Sequence, residues 1–252
     1  MTLPATALIP RTRIAGIIPA RLASTRLPRK VLRPLAGEPL LAWVVQAAQA
    51  CPELDSVVVA ADSAEVEALC AERGWTCVMT SADLPSGTDR LHAVSQTIDA
   101  DIYVNIQGDE PLLRPEHITA ILAPFAHPHV DVTTLKVRCS AENITNPNAV
   151  KVVTANDGRA LYFSRATIPY DRDATGHAAY WKHLGLYAYR REALARFASL
   201  PPGELEQTER LEQLRLLENG LALYVAETEF DTVGVDTEED LTRVEAILQA
   251  RR

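Results

Sequence analysis

Residues 14–30, IAGIIPARLASTRLPRK, join a strand to a basic loop. The first part, Ile14 to Ile18, is an apolar run rich in isoleucine, which is typical of a buried strand. The ten residues after Ala20 carry three arginines, one lysine and two hydroxyl groups. Such a loop at the end of a strand is a candidate anion-binding site. Composition alone still favours a simpler interpretation, a solvated basic turn.

The composition excludes several classes of function. The chain has 252 residues, of which 47% are hydrophobic and 23% charged, and this predicts a globular protein with a substantial core. Its net charge of -8 argues against a nucleic acid as the partner, because nucleic-acid binding depends on basic surface. An acidic protein with one concentrated basic loop is expected to bind a small anion.

The sequence also suggests a compartment. No apolar run approaches the roughly 20 residues that span a bilayer, so we expect no membrane insertion. The first 13 residues have no basic head before an apolar run, which argues against a secretory signal. The four cysteines form no CxxC pair and no zinc-like spacing with histidine. We expect reduced thiols in a cytoplasmic protein.

Strands and helices alternate through the first half of the chain. Apolar spacing predicts helices over residues 39–50, 64–73, 89–98 and 115–123, and β-branched runs predict strands over residues 56–61, 76–79 and 102–106. This alternation is typical of parallel βαβ units whose sheet is covered on both faces. The predicted fold is therefore a three-layer, Rossmann-like α/β fold with a mainly parallel sheet. Ligands of such folds bind beyond the carboxyl ends of the strands.

The second half of the chain is richer in strands. Strands are predicted over residues 130–137, 150–154, 160–164, 181–189, 223–226 and 232–235, and helices over residues 191–198, 204–218 and 238–249. Asn156-Asp157-Gly158 is a strong hairpin signal. We predict an N-terminal extension over residues 1–13 and one domain over residues 14–252, in which residues 130–190 include a β-rich insertion.

Familiar phosphate-binding motifs are absent. The sequence has no GxxxxGK[ST] and no GxGxxG, so phosphates would be held by side chains and turn amides. Arg21 and Arg26 could form bidentate hydrogen bonds with phosphate oxygens, and Lys30 would act as a mobile point charge.

Two acidic residues follow predicted strands. Asp109 comes after residues 102–106, and Asp236 comes after residues 233–235 and before a helix. Taken singly, Asp109 fits a simple turn, and Asp236 fits a helix N-cap with Glu239 completing a capping box. Together with the basic loop they can converge on a magnesium triphosphate, because Mg²⁺ takes one or two carboxylates plus phosphate oxygens.

Eight motifs carry a resemblance to a known family. In order they are IIPARLASTRLPRKVL, SGTDRL, NIQGDEP, NPNAVKVV, ALYFSRATIP, KHLGLYAYR, LEQLRLLENG and GVDTEEDL. They resemble the 3-deoxy-manno-octulosonate (Kdo) cytidylyltransferases of lipopolysaccharide synthesis, from about Ile14 to Leu248. The PARxxSxRLPxK part is shared with sialic-acid cytidylyltransferases, so the later motifs narrow the match. Position 29 departs from the family pattern, which often has glycine where this chain has Arg29.

The resemblance implies an activity and partners. It implies the nucleotide-diphospho-sugar transferase fold, CTP and Kdo as substrates, Mg²⁺ as cofactor and a homodimer formed through the β-rich segment. A cytidylyltransferase for sialic acid or 8-amino-Kdo is the nearest alternative. A glycosyltransferase, for which Asp171-Arg172-Asp173 is only a superficial signal, and a silent nucleotide-binding protein are the others.

The resemblance also implies roles for individual residues. On the nucleotide side these are Pro19, Ala20, Arg21, Ser24, Lys30, Ser86, Gly87, Thr88, Arg90, Gln107 and Asp109. On the sugar side they are Gln107, Arg165, His183, Tyr187, Glu212 and Gln213. The implied catalytic residues are Arg21, Lys30, Asp109 and Asp236, with Asp109 and Asp236 as the metal ligands.

Two of these positions have a simpler interpretation. His183 lies in an apolar strand, where a histidine is more often structural. If residues 204–218 are one helix, Glu212 lies nearly opposite the stripe of Leu211, Leu214 and Leu217, and is expected to be solvated.

Overall fold

The computed structural model describes residues 12–24, 26–84, 86–174 and 176–250. Most of the predicted N-terminal extension lies outside these residues. The strands are β1 (Ile14–Ala20), β2 (Pro34–Leu35), β3 (Glu38–Pro39), β4 (Ser56–Ala61), β5 (Thr76–Met79), β6 (Ile102–Asn105), β7 (Val132–Arg138), β8 (Lys151–Thr154), β9 (Ala160–Ser164), β10 (Trp181–Arg190) and β11 (Tyr224–Glu227). The α-helices are α1 (Leu40–Gln49), α2 (Ala64–Arg73), α3 (Gly87–Ser95), α4 (Pro115–Leu122), α5 (Ala141–Ile144), α6 (Arg191–Ser199), α7 (Glu204–Glu209), α8 (Leu214–Glu218) and α9 (Glu238–Ala250).

One large mixed sheet organises the described residues. Its strand order is β11-β7-β10-β6-β1-β4-β5, with β8 and β9 attached beside β10. Strands β6, β1, β4 and β5 run parallel, whereas β10 runs antiparallel to both β6 and β7. This confirms the prediction of an α/β fold with a largely parallel central sheet.

Both faces of the sheet are buried, as β1 illustrates. Ile18 and Ala20 point into a core shared with α1, α2 and α4, whereas Ala15 and Ile17 point into a core shared with α3 and α6. Successive strand side chains point to opposite faces, so a strand covered on both faces reads as a continuous apolar run. The apolar run that begins at Ile14 therefore forms a central strand of the sheet. The basic loop follows the carboxyl end of this strand.

The predicted helix over residues 204–218 is wrong as a single element. Arg210 has a left-handed backbone (φ 54°) and separates α7 from α8. Across the break, Arg215 donates hydrogen bonds of 2.7 and 2.6 Å to the carboxylate of Glu206. This contact requires the two short helices to pack side by side, which local apolar spacing does not reveal.

Further differences from the predictions concern residues 232–235 and the start of α3. The predicted strand over residues 232–235 is wrong, because the segment there has no regular secondary structure. The helix predicted to start at residue 89 starts at Gly87, because the Ser86 hydroxyl accepts a hydrogen bond from the amide of Asp89 and caps the helix. Within the described residues, no helix combines the length and the apolarity needed to cross a membrane.

Candidate active site

A cavity of about 510 Å³ opens at the carboxyl ends of β1 and β6. Eleven of the residues assigned by resemblance line it: Pro19, Arg21, Ser24, Lys30, Ser86, Gly87, Gln107, Asp109, Tyr187, Glu212 and Asp236. Arg26 lines it as well. The topology therefore brings the basic loop, both candidate metal ligands and part of the expected sugar side to one place.

Lys30 is the centre of the charged cluster. Its Nζ lies 2.5 Å from Asp109 Oδ2 and 3.0 Å from Asp236 Oδ1, and its side chain is only 12% exposed. Burial by itself would lower the pKa of Lys30, but the two carboxylates outweigh that effect and raise the pKa. Lys30 therefore stays protonated. Arg26 adds a second cation, 3.0 Å from Asp236.

A backbone contact brings Asp236 to this cluster. The amide of Val235 donates a 2.9 Å hydrogen bond to the carbonyl of Asp109. The expected capping box of Asp236 with Glu239 is wrong: Asp240 N donates to the Thr237 hydroxyl, and the Asp240 carboxylate accepts from the amides of Asp236 and Thr237. Because Thr237 and Asp240 form the cap, the Asp236 carboxylate is left to the cavity.

The two acids fit a divalent metal. Both face one cation, Lys30, so their carboxylates lie on two sides of one small space. Carboxylate oxygens are the ligands that Mg²⁺ prefers, and the ion usually completes its shell with phosphate oxygens and water. Within the described ranges no group of three or more His, Cys, Asp or Glu side chains suits a metal. Two protein ligands with a phosphate-bearing substrate are therefore the arrangement that this site could support.

Glu110, next to Asp109, faces another way. Its side chain lies against β10, where Glu110 Oε1 would be 3.6 Å from a Cβ atom added to Gly185. Burial and the neighbouring Asp109 raise the pKa of Glu110 to about 7, although a hydrogen bond with Thr232 opposes the shift. Of the two adjacent acids, the one lining the cavity is Asp109.

The start of α3 forms another wall, and Glu212 is part of it. The Thr88 hydroxyl lies 3.0 Å from Glu212 Oε2, and Glu212 Oε1 is buried without a partner among the described atoms. Burial raises the pKa of Glu212. The expectation of a solvated Glu212 is wrong, because it assumed one continuous helix, and the break at Arg210 turns this residue toward the cavity.

A bulge in β10 shapes the wall that carries Tyr187. The pairing of β10 with β7 shifts register between Leu184 and Tyr187. The hydroxyl of Thr134 lies 2.7 Å from the Leu186 carbonyl and 2.9 Å from His183 Nε2. Bulges re-aim side chains and are common at functional sites. Here the bulge lies where Tyr187 lines the cavity.

His183 lies behind Tyr187. It is 8% exposed, and its ring centroid is 5.5 Å from that of Tyr187 and 4.9 Å from that of Phe163. Burial, with a smaller effect of Lys182, lowers the pKa of His183 to about 3, so the imidazole is neutral.

Besides Thr88 and His183, four further assigned residues are not among those that line the cavity. Ala20 and Gln213 are buried. Arg90 is also buried, 3.5 Å from Asp62, whose other carboxylate oxygen accepts a hydrogen bond from the amide of Leu22 in the basic loop. Arg90 thus supports that loop from behind.

The fourth is Arg165, which the backbone holds in place. Its guanidinium donates to the carbonyls of Glu209 and Pro147 at 2.8 and 3.1 Å. These contacts fix a cation beside the break between α7 and α8.

Arg29 has a contact of its own. Its backbone is left-handed (φ 57°), the region that favours the glycine of the family pattern. Its guanidinium pairs with Glu65 of α2. Arg29 therefore ties the loop to α2, and it is not among the residues that line the cavity described above.

Sequence reasoning missed Asn105 and Gly108 as parts of the cavity wall. Asn105 is two residues before Gln107, so strand alternation could have placed the pair on one face. Gly108 packs closely on β1, because a Cβ there would lie 2.5 Å from the carbonyl oxygen of Pro19. No local pattern predicts such an approach between strands.

Comparison with known proteins gives consistent matches. A family model described as Cytidylyltransferase matches residues 15–229. A 3-deoxy-manno-octulosonate cytidylyltransferase of Acidobacterium capsulatum is 64% identical over 239 residues, covering 95% of this chain and 98% of the relative. That of Koribacter versatilis is 57% identical over 236 residues, covering 94% and 90%.

A solved structure is also similar. It is a CMP:2-keto-3-deoxy-manno-octonic acid synthetase complexed with CTP, with 40% sequence identity and a TM-score of 0.92. The match covers 96% of this chain and all of the other.

Proposed function

We propose that this chain, which belongs to the 3-deoxy-manno-octulosonate cytidylyltransferase family, transfers CMP from CTP to Kdo and releases pyrophosphate. The observation that carries the proposal is the cavity in which Lys30 lies between Asp109 and Asp236. The relatives, up to 64% identical along nearly the whole chain, favour Kdo over another 2-keto acid sugar.

The basic loop would bind the triphosphate. Arg21, Arg26 and Lys30 line one side of the cavity and supply three positive charges. Phosphate oxygens are acceptors only, so they are matched by guanidinium and ammonium donors. At the other side, Ser86 and Gly87 at the start of α3 would hold the cytidine. This orientation leaves the Tyr187 wall for the sugar.

The chemistry would depend on positioning and charge. The anomeric hydroxyl of Kdo would attack the α-phosphate and lose its proton to water. A new bond forms between that oxygen and phosphorus, and the bond between the α-phosphate and the leaving pyrophosphate breaks. Lys30, held protonated, and Arg21 would offset the charge that builds on the phosphate oxygens. Asp109 and Asp236 would hold Mg²⁺, which when bound would neutralise phosphate charge and help to lower the pKa of the attacking hydroxyl.

The sugar side combines residues inside and behind the cavity wall. Tyr187 and Glu212 line it, Gln107 is fixed by a 3.1 Å hydrogen bond from its Nε2 to the Gly185 carbonyl, and His183 supports Tyr187 from behind. Gln213 has a buried Nε2 without a partner in the described part of the chain. We assign these residues to Kdo, and Arg165 to its carboxylate.

We also propose that the protein forms a homodimer. Leu161 and Tyr170 are 60% and 84% exposed in the β-rich segment, and a homodimer through that segment would cover such apolar surface. Light scattering that gives a 27.6 kDa monomer would contradict the dimer.

The proposed location is the cytoplasm. All four cysteines are free, which is typical of proteins in the reducing cytoplasm.

Pyrophosphate release from CTP tests the activity directly. The assay is run with no sugar, with Kdo, with 8-amino-Kdo and with sialic acid, each with and without Mg²⁺. We expect release with Kdo and Mg²⁺ and a product with the mass of CMP-Kdo. Release only with another acid sugar would overturn the assignment of Kdo, and release with none would overturn the enzyme assignment.

A further inference from the structure

Asn105 is a buried polar residue that the proposed mechanism does not use. It ends β6, is 1% exposed and lines the catalytic cavity. Its Oδ1 is buried and has no hydrogen-bond partner among the described residues. Such an atom costs folding free energy, because its bonds to water are lost and nothing replaces them. A strand end that served packing alone would carry an apolar side chain here.

Its neighbours place the carboxamide between the two expected substrates. Asn105 pairs with Ile17 of β1 on one side and with Tyr187 of β10 on the other. Residues paired across strands project from the same face of a sheet. Asn105 Nδ2 also lies 3.8 Å from where a Cβ on Gly87 would be. Gly87 is on the proposed nucleotide side and Tyr187 on the proposed sugar side.

We propose that Asn105 is a specificity residue whose carboxamide accepts a hydrogen bond from a substrate hydroxyl. The inference rests on the proposed function. An amide oxygen needs a donor, and phosphate and carboxylate oxygens at pH 7 are acceptors only. Hydroxyl groups are donors, and they come from two sources, the ribose of CTP and the acid sugar. Asn105 lies where either could reach it.

The test uses Asn105→Leu, which keeps the size of the side chain and removes its hydrogen bonds, and Asn105→Ala as a second variant. The Kd of CTP is measured by calorimetry, and KM is measured separately for CTP and Kdo. The same measurements are made with 2′-deoxy-CTP, 3′-deoxy-CTP and UTP.

Each source of the hydroxyl gives its own result. If it is the ribose, wild-type protein prefers CTP to one deoxy analogue by about tenfold, as expected for one hydrogen bond, and both variants lose that preference. If it is the acid sugar, KM for Kdo rises about tenfold while the Kd of CTP is unchanged. Loss of discrimination against UTP alone would overturn the proposal, because it would assign Asn105 to the base.

Thr133→Val is the matched control. Thr133 is also fully buried in a strand, but its hydroxyl already donates a 2.8 Å hydrogen bond to the Ile121 carbonyl. The control tests whether loss of a buried polar group is enough to change substrate binding, and we expect unchanged KM values. The inference would be overturned if every Kd and KM of the Asn105 variants stayed at its wild-type value. It would also be overturned if these values changed only as much as they do in Thr133→Val.

Calorimetry separates this inference from the proposed function. Binding of CTP does not require turnover. A wild-type protein that binds CTP but releases no pyrophosphate with Kdo would overturn the proposed function, while the comparison of CTP with its deoxy analogues would still decide the ribose source. In that case the Kd of Kdo is measured by calorimetry as well, and an unchanged Kd of Kdo together with unchanged ribose discrimination in both variants would overturn the inference.

Discussion

The amide of Val235 lies 2.9 Å from the carbonyl oxygen of Asp109 and donates a hydrogen bond to it. This bond joins the turn after β6 to the segment before α9, two parts of the chain that are far apart in sequence. It sets Asp109 and Asp236 side by side, so that both carboxylates reach Lys30.

Replacing either acid with its amide should remove activity and keep the fold. For Asp109→Asn and Asp236→Asn we expect turnover to fall by about 10²–10³, because one charged ligand near the phosphates is lost. Pyrophosphate release at saturating Mg²⁺ measures the effect, and circular dichroism checks the fold. Asp157→Asn, in the exposed hairpin turn, is the control and should be silent. Near-normal turnover in either site variant would contradict the metal role.

Replacement by alanine should harm the protein at one glycine near the site and be tolerated at another. Gly108→Ala places a Cβ 2.5 Å from the backbone oxygen of Pro19, so the ends of β1 and β6 must separate. We expect lower stability and loss of activity together. Gly234→Ala meets no atom within 4 Å and should be tolerated, although it is close to Asp236. Thermal unfolding and turnover of both variants test the contrast, which equal behaviour would refute.

The ion pair between Glu206 and Arg215 should stabilise the break between α7 and α8. Their side chains are 13% and 10% exposed, so Arg215→Met leaves a mostly buried carboxylate without its partner. We expect the free energy of unfolding to fall by about 3 kcal/mol, the lower end for a broken buried pair. We also expect a higher KM for Kdo, because Glu212 and Gln213 lie between the two helices.

Urea unfolding and substrate kinetics measure these two effects. Arg159→Met removes an arginine from an exposed pair with Asp157 and should change neither quantity measurably. If Arg215→Met proved as harmless as this control, the proposed support of the break would be refuted.

The buried His183 should make stability depend on pH. Its pKa is lowered to about 3 in the folded state from an ordinary value of 6.5. Between these values the unfolded chain binds a proton that the folded protein does not bind. The stabilising contribution is therefore complete above pH 6.5 and is lost as the pH falls, by up to about 1.4 kcal/mol per pH unit.

His183→Gln measures this contribution. The free energy of unfolding of both proteins is followed from pH 5 to 7, and the variant should have the shallower rise with pH over the lower part of this range. Equal slopes in the two proteins would mean that the pKa of His183 is the same in the folded and the unfolded state, and would contradict the lowered pKa.

Several features followed from local pattern. The apolar run of β1, the alternation that predicts helices on both faces and the Asn156-Asp157-Gly158 hairpin depend on residues close in sequence. Strand periodicity and turn chemistry act over a few residues, so these features could be predicted. The same holds for placing Asp109 and the basic loop at one edge of the sheet, because parallel strands end together.

Other features needed contacts between distant residues. The orientation of Glu212 depends on Arg210 and on the ion pair of Arg215 with Glu206. The position of Asp236 depends on the Asp109 carbonyl rather than on a strand. Periodicity carries no information about either contact.

The sequence by itself determined the α/β fold, the charged loop and, through its motifs, the family. The tertiary structure decided which charges meet: Lys30 with both acids, and Arg29 with Glu65 on α2. It also decided that Asn105 ends in the cavity wall with an unpaired oxygen. The physical reason is that ion pairs and buried hydrogen bonds act between neighbours in space, whereas pattern and propensity act between neighbours in the chain.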